Sequence, residues 1–145
     1  FLRAALAAGV GVTTEIGLAI QELGRRRRTE GVDERARTIG VTGTVGKSTT
    51  SALIDHILRA RGRESVLCGN IGGSALEAVS RVPPDAFVVL ELSSFMLHWL
   101  EWSPRVAVVT NLAPNHLDWH GTLEHYRARL REITDMVFRE GEYAD

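Results

Sequence analysis

The feature that most constrains this chain is residues 40–50, GVTGTVGKSTT, set between a short apolar run and a segment of helical periodicity. A glycine-rich turn that opens a helix directs backbone N–H groups at one point in space, and the helix dipole adds positive potential there. Such a turn fits phosphate oxygens, with Lys47 placed to reach the outer phosphates and Ser48 to offer its hydroxyl to a divalent cation. The full G-x-x-x-x-G-K-[ST] spacing is not met, because Val41 stands where the first glycine would be; G-T-x-G-K-S-T from Gly43 is met. Of the 17 basic residues, Lys47 is the only lysine. A compact ammonium retained in a chain that otherwise uses arginine points to a role that a guanidinium does not fill. A plain strand-to-helix turn closed by glycine and serine is the structural alternative.

The rest of the sequence supports an α/β fold. From residue 38 onward, apolar runs alternate with helical segments: strands at 38–42, 64–68, 86–92 and 105–110, and helices at 47–61, 74–79 and 123–138. In the first of these helices, Leu53, Ile54, Ile57 and Leu58 are expected to face inward. Continuous apolar strands alternating with helices predict strands buried on both faces, hence a parallel sheet of the phosphate-loop type flanked by helices. With four strands the sheet is expected to be incomplete, and the absence of an initiator Met suggests a piece of a longer protein.

Before residue 38, residues 13–23 read as a helix capped by Thr13 or Thr14, with Ile16, Ala19, Ile20 and Leu23 on one face. Residues 1–8 read as the tail of another helix. Residues 24–37, GRRRRTEGVDERAR, lack apolar periodicity. They are expected to form an exposed linker at a domain boundary, with the Arg25–Arg28 run as a solvated face rather than an anion-binding patch. Three parts follow: 1–24, a 25–37 linker and 38–145.

Composition excludes several classes. At 145 residues and 44% apolar, the chain has room for one sizeable core. No stretch reaches the roughly 20 apolar residues of a membrane span, and a net charge of −1 argues against a general nucleic-acid binder. A single cysteine, Cys68, forbids an internal disulfide and fits a reducing, cytoplasmic setting. Its place at a strand end favours a core role over a nucleophilic one.

Three further constellations fall after strands, at the edge where open α/β sheets bind ligands. Glu91, in ELSSF, can hold a cation, or it can be a strand-end acid facing water. His116, in NLAPNHLDWH, can ligate a metal with Asp118 orienting it, or it can be a structural loop histidine. Asn70, in CGNIGG, can bind a substrate through its amide or simply make an Asn-Gly turn. Trp99, Trp102 and Trp119 read as partly buried packing residues.

Together these segments resemble the Mur ligases, ATP-dependent amide-bond ligases of peptidoglycan precursor synthesis. The family's phosphate loop is G-[TS]-x-G-K-[ST], and NLAPNHLDWHG is similar to its N-x-x-x-D-H-L-D-x-H. GNIG at 69–72 and LELSSF at 90–95 resemble the branch that adds D-glutamate to UDP-MurNAc-L-Ala. The resemblance implies that residues 1–24 close a UDP-binding domain and that 38–145 belong to a truncated central ATP-binding domain, inactive alone. It implies that Lys47 and the backbone of Thr44, Val45, Gly46, Lys47, Ser48 and Thr49 hold ATP phosphates. It further implies that Ser48 and Glu91 bind a first Mg²⁺, that His116 binds a second metal, and that Asn70 and Ser93 contact the UDP-linked substrate. Two departures are expected to weaken the second metal position: Leu130 replaces a lysine that the family carbamylates, and Asn115 replaces an acid. Another branch, such as folylpolyglutamate synthase, and a nucleotide-binding module without ligase chemistry are the alternatives.

Overall fold

In a computed structural model of the chain, residues 2–100 and 102–113 are described, with residues 122, 124, 125 and 128. The elements run α1 (Leu2–Ala7), α2 (Glu15–Thr29), β1 (Thr38–Thr42), α3 (Lys47–Ala60), β2 (Ser65–Gly69), α4 (Ala75–Arg81), β3 (Phe87–Glu91), α5 (Ser94–Leu97) and β4 (Val106–Val109). The four strands form one all-parallel sheet in the order β2-β3-β1-β4. The α/β expectation therefore holds, and each expected strand lies within a residue or two of its observed bounds. Of the helix expected at 123–138, residues 124, 125 and 128 are described and helical, and the remainder lies outside the described residues.

Alternation along the strands divides the core between two faces. Val88, Leu90 and Leu92 pack with Ile16, Ala19, Ile20 and Leu23 of α2, Ala75 and Val79 of α4, and Leu97 and Leu100. On the opposite face lie Val89 and Val41, both fully buried, where α3 packs on β1, β2 and β3. Glu91 pairs in register with Val41, so it shares the face that α3 covers.

Two expectations are corrected. The stretch read as an exposed linker at 25–37 begins as helix: α2 continues to Thr29, and Arg27 is completely buried. Arg27 continues the stripe of Ile16, Ile20 and Leu23 at i+4, i+7 and i+11. Its guanidinium replaces an apolar side chain by donating to three backbone carbonyls: Nε to Pro84 O (2.9 Å), Nη1 to Glu34 O (3.0 Å) and Nη2 to Ala86 O (3.0 Å). Arg25, by contrast, is solvated and pairs with Glu22 at 2.7 Å. The second correction concerns α3. Leu53 and Ile57 are exposed rather than inward, at 55% and 49%. The less exposed stripe runs through Ser51, Ile54 and Leu58 instead, with Ser51 fully buried.

Helix ends show which backbone donors are already served. Thr14, Ser74 and Ser93 cap α2, α4 and α5 by accepting from Gly17, Glu77 and Met96 N–H groups. Helix α3 begins at Gly46, in the left-handed region at φ 85°, and no side chain caps it. The first N–H groups of α3 therefore have no intrahelical acceptor and no cap from the N-cap side chain.

Candidate functional site

The strands are parallel, so the segments that follow β1, β2, β3 and β4 all emerge at one edge of the sheet. This places the 43–46 loop, Asn70, Glu91 and Asn111 along one rim. Lys47 and Glu91 share that edge, as the sequence requires of a common site.

The loop is held on two sides. Lys47 Nζ donates to Gly43 O (2.8 Å) and Thr44 O (3.1 Å), which folds the ammonium over the turn. From β4, Thr110 Oγ1 donates to Val45 O (2.7 Å), and Asn111 Oδ1 accepts from both Thr44 N and Val45 N (3.1 Å each). Gly43 is required here. It sits at φ 132°, and a Cβ would fall on Thr110 Oγ1 and only 3.0 Å from Asn111 O. Ser48 and Thr49 are exposed at the start of α3.

Glu91 is the most buried acid at the rim, at 1% exposure. Asn70 donates its backbone N–H to Glu91 O (2.9 Å) and its side-chain Nδ2 to Glu91 Oε1 (2.8 Å). Gly69 makes this approach possible, at φ 103° and with no room for a Cβ beside Glu91 O. The other carboxylate oxygen, Oε2, is buried and has no hydrogen-bond partner among the described residues. A buried, unserved carboxylate oxygen is costly unless a cation or donor meets it. The described residues contain no cluster of three His, Cys, Asp or Glu side chains. A cation here would therefore draw on Glu91, the Ser48 hydroxyl, water and phosphate oxygens, a hard-oxygen set that fits Mg²⁺.

Other expected site residues are placed differently or not described. Ser93 is half-buried, and its hydroxyl oxygen accepts from Met96 N at 3.3 Å as the α5 cap. His116, Asn115, Asp118, Trp119 and Leu130 lie outside the described residues. Trp99 and Trp102 are half-buried, as expected of packing residues. Cys68 is fully buried, and burial pushes its thiol up to about 12, which suits a core residue. Sequence reasoning assigned no role to Asn111 or to the Asn70–Glu91 bond. The Asn-rich stretch after the last apolar run was the available signal for Asn111.

Fold and site together define the phosphate-loop class of α/β proteins. Residues 41–144 match the model of the Mur ligase middle domain. The chain is 45% identical over 144 residues to a UDP-N-acetylmuramoylalanine–D-glutamate ligase of Symbiobacterium thermophilum, covering 99% of this chain and 28% of that protein. It is 50% identical over 101 residues to a UDP-N-acetylmuramoyl-L-alanine–L-glutamate ligase of Xanthomonas campestris, covering 67% of this chain and 22% of that protein. A crystal structure of MurF from Acinetobacter baumannii superposes with a TM-score of 0.63 at 22% identity, over 91% of this chain and 30% of that one, a likeness of fold. The chain belongs to the Mur ligase family. It spans less than a third of the length of these relatives.

Proposed function

We propose that this chain supplies the ATP-binding centre of a ligase that joins D-glutamate to UDP-MurNAc-L-Ala during peptidoglycan precursor synthesis in the cytoplasm, a reaction that supports cell shape and division. The observation that carries the reading is the rim itself: the chain's one lysine, a helix N-terminus that its N-cap glycine leaves without a side-chain cap, and a buried carboxylate oxygen that has no partner among the described residues meet at one sheet edge. The 45% identity to a D-glutamate-adding relative over nearly the whole chain supports the substrate class. In this reading residues 38–145 belong to the central ATP-binding unit, residues 1–24 close a UDP-binding domain, and α2 is docked on the central unit through Arg27.

The chemistry is carboxyl activation. A carboxylate oxygen of the muramoyl-alanine attacks the γ-phosphorus of ATP, and ADP leaves. The glutamate nitrogen attacks the acyl carbon, phosphate departs with the C–O electron pair, and the nitrogen loses a proton. The first step brings two anionic groups together, so positive potential is needed at the point of transfer. Lys47 supplies a full charge and the α3 N-terminus a partial one. Mg²⁺ held by Ser48 and Glu91 would neutralise phosphate charge, and His116 would serve a second metal. Asn70 keeps Glu91 oriented, and with Ser93 it meets the UDP-linked substrate.

A second reading is favoured by one observation: a 50% identical relative adds L-glutamate. The deciding assay uses a full-length protein carrying this segment, with ATP, UDP-MurNAc-L-Ala and either glutamate enantiomer, read as phosphate release. Release that depends on D-glutamate and is abolished by Lys47→Ala and Glu91→Gln bears out the first reading. Release with L-glutamate alone establishes the second. Nucleotide binding without substrate-dependent release would overturn both.

A further inference from the structure

We propose that Asn111 is a positioning residue for the phosphate loop: its carboxamide holds the first half of the loop so that the later N–H groups stay aimed at phosphate. The proposal rests on the phosphate-loop reading of residues 43–49 and adds to it a residue that neither the loop motif nor the metal-site residues include.

The geometry is specific to a carboxamide. Oδ1 accepts from two consecutive amides, Thr44 N and Val45 N, both at 3.1 Å, while Nδ2 donates to Val45 O at 3.1 Å. One side chain thus serves two donors and one acceptor of the same turn, and only Asn or Gln carries both functions in one planar group. The main chain adds to the strap. Asn111 O accepts from Thr44 N at 3.2 Å, Ala113 N donates to Thr44 Oγ1 at 2.9 Å, and that hydroxyl donates to Ala113 O at 3.0 Å. The lack of space for a Cβ at Gly43 shows how closely the two segments approach.

The consequence for binding follows from which donors are used. Thr44 and Val45 N–H groups face Asn111, so the phosphate-facing donors are those of Gly46, Lys47, Ser48 and Thr49 at the uncapped start of α3. Val45 is 63% exposed and has little packing to fix it. Without the carboxamide, Val45 N loses its acceptor and Val45 O one of its two donors, so residues 44 and 45 are held less firmly and part of their ordering falls on the binding step.

The test uses a full-length protein carrying the segment and ADP with Mg²⁺ as the calorimetric probe, comparing the wild type with Asn111→Ala, Asn111→Asp and Lys47→Ala. Asn111→Ala is expected to raise the ADP Kd and the KM for ATP about tenfold, with kcat at saturating ATP largely kept. Asn111→Asp keeps the size and the two acceptor contacts but loses the donor and sets a negative charge beside phosphate. It should therefore bind ADP more weakly still, with a loss that added salt does not erase. It also decides the matter should the alanine variant fail to fold. If Lys47→Ala weakens ADP while both Asn111 variants bind as the wild type or tighter, the positioning role is overturned and the phosphate loop stands. If Lys47→Ala leaves ADP binding unchanged, the phosphate-loop reading falls, and this proposal falls with it.

Discussion

Arg27→Ala is the sharpest stability test, because it separates a buried clamp from a run of exposed arginines. Truncation removes a guanidinium that is completely buried and serves Pro84, Glu34 and Ala86 carbonyls at 2.9–3.0 Å. Burial also pulls its pKa down to about 10, so the charged form is held against a desolvation penalty by these bonds and by the more distant carboxylates of Asp33 and Asp85. The bond to Ala86 O is buried and those to Pro84 O and Glu34 O are part-buried; a carbonyl left without a donor costs about 1–3 kcal/mol where it is buried and less where water reaches it. Water entering the vacated space recovers part of that, and losing the desolvation penalty recovers more. A net loss of about 3–5 kcal/mol is expected, within the range of substitutions that break buried networks.

The loss should appear locally, as α2 releasing from the segment that leads into β3. Amide hydrogen exchange in a full-length protein carrying the chain reads this directly. At tenfold per 1.4 kcal/mol, α2 amides should exchange roughly 100-fold faster or more, up to the limit set by their starting protection. Arg27→Lys should fall between the two, since an ammonium cannot span three carbonyls as a planar fork does. Arg25→Ala, at a solvated site beside Glu22, should leave α2 exchange unchanged. ADP binding should be kept in all three variants, because Arg27 acts at the edge of the sheet where β3 begins and the candidate site lies where it ends. Equal protection in Arg27→Ala and wild type would refute the claim that this side chain docks α2.

Two further outcomes are expected. Ser51 Oγ is buried without a partner among the described residues, so Ser51→Ala should leave stability unchanged or raise it by up to about 1 kcal/mol in urea unfolding; a loss of stability would mean the hydroxyl is served. Cys68 has its pKa raised from 9.0 to about 12 by burial and, secondarily, by Glu15. Its contribution to stability should be constant below pH 9 and lost as pH rises from 9 towards 12, where the unfolded thiol ionises first. Cys68→Ala should flatten that alkaline slope, and an aromatic disulfide reagent at pH 8 should label the wild type no faster than it unfolds. Rapid labelling of the folded protein would contradict the burial.

What the sequence displayed and what it concealed divide along a physical line. The glycine-rich turn that opens α3, the parallel strands and the rim that holds Lys47, Asn70 and Glu91 were legible, because each is written in side-chain pattern: a glycine spacing, a sole lysine, apolar runs ending in polar residues. In α3 the pattern was too generous. Leu53, Ile54, Ile57 and Leu58 span a wider arc than the sheet covers, and small Ser51 sets which part of that arc turns inward. The residues that escaped assignment act on backbone. Arg27 bonds to main-chain carbonyls 57 and 59 residues away, and Asn111 to main-chain groups 66 and 67 residues away. A carbonyl or amide is the same at every position, so no partner residue type marks where such a bond will land. Periodicity made the omission worse at Arg27, because an arginine on the apolar stripe reads as the end of the stripe. The same logic locates what a sequence of this kind hides: polar side chains next to a recognisable motif, whose partners are loops brought close only by strand order. Here β4 lies beside β1 although a β-α-β unit separates them in the chain, and that adjacency alone puts Asn111 against the loop that follows β1.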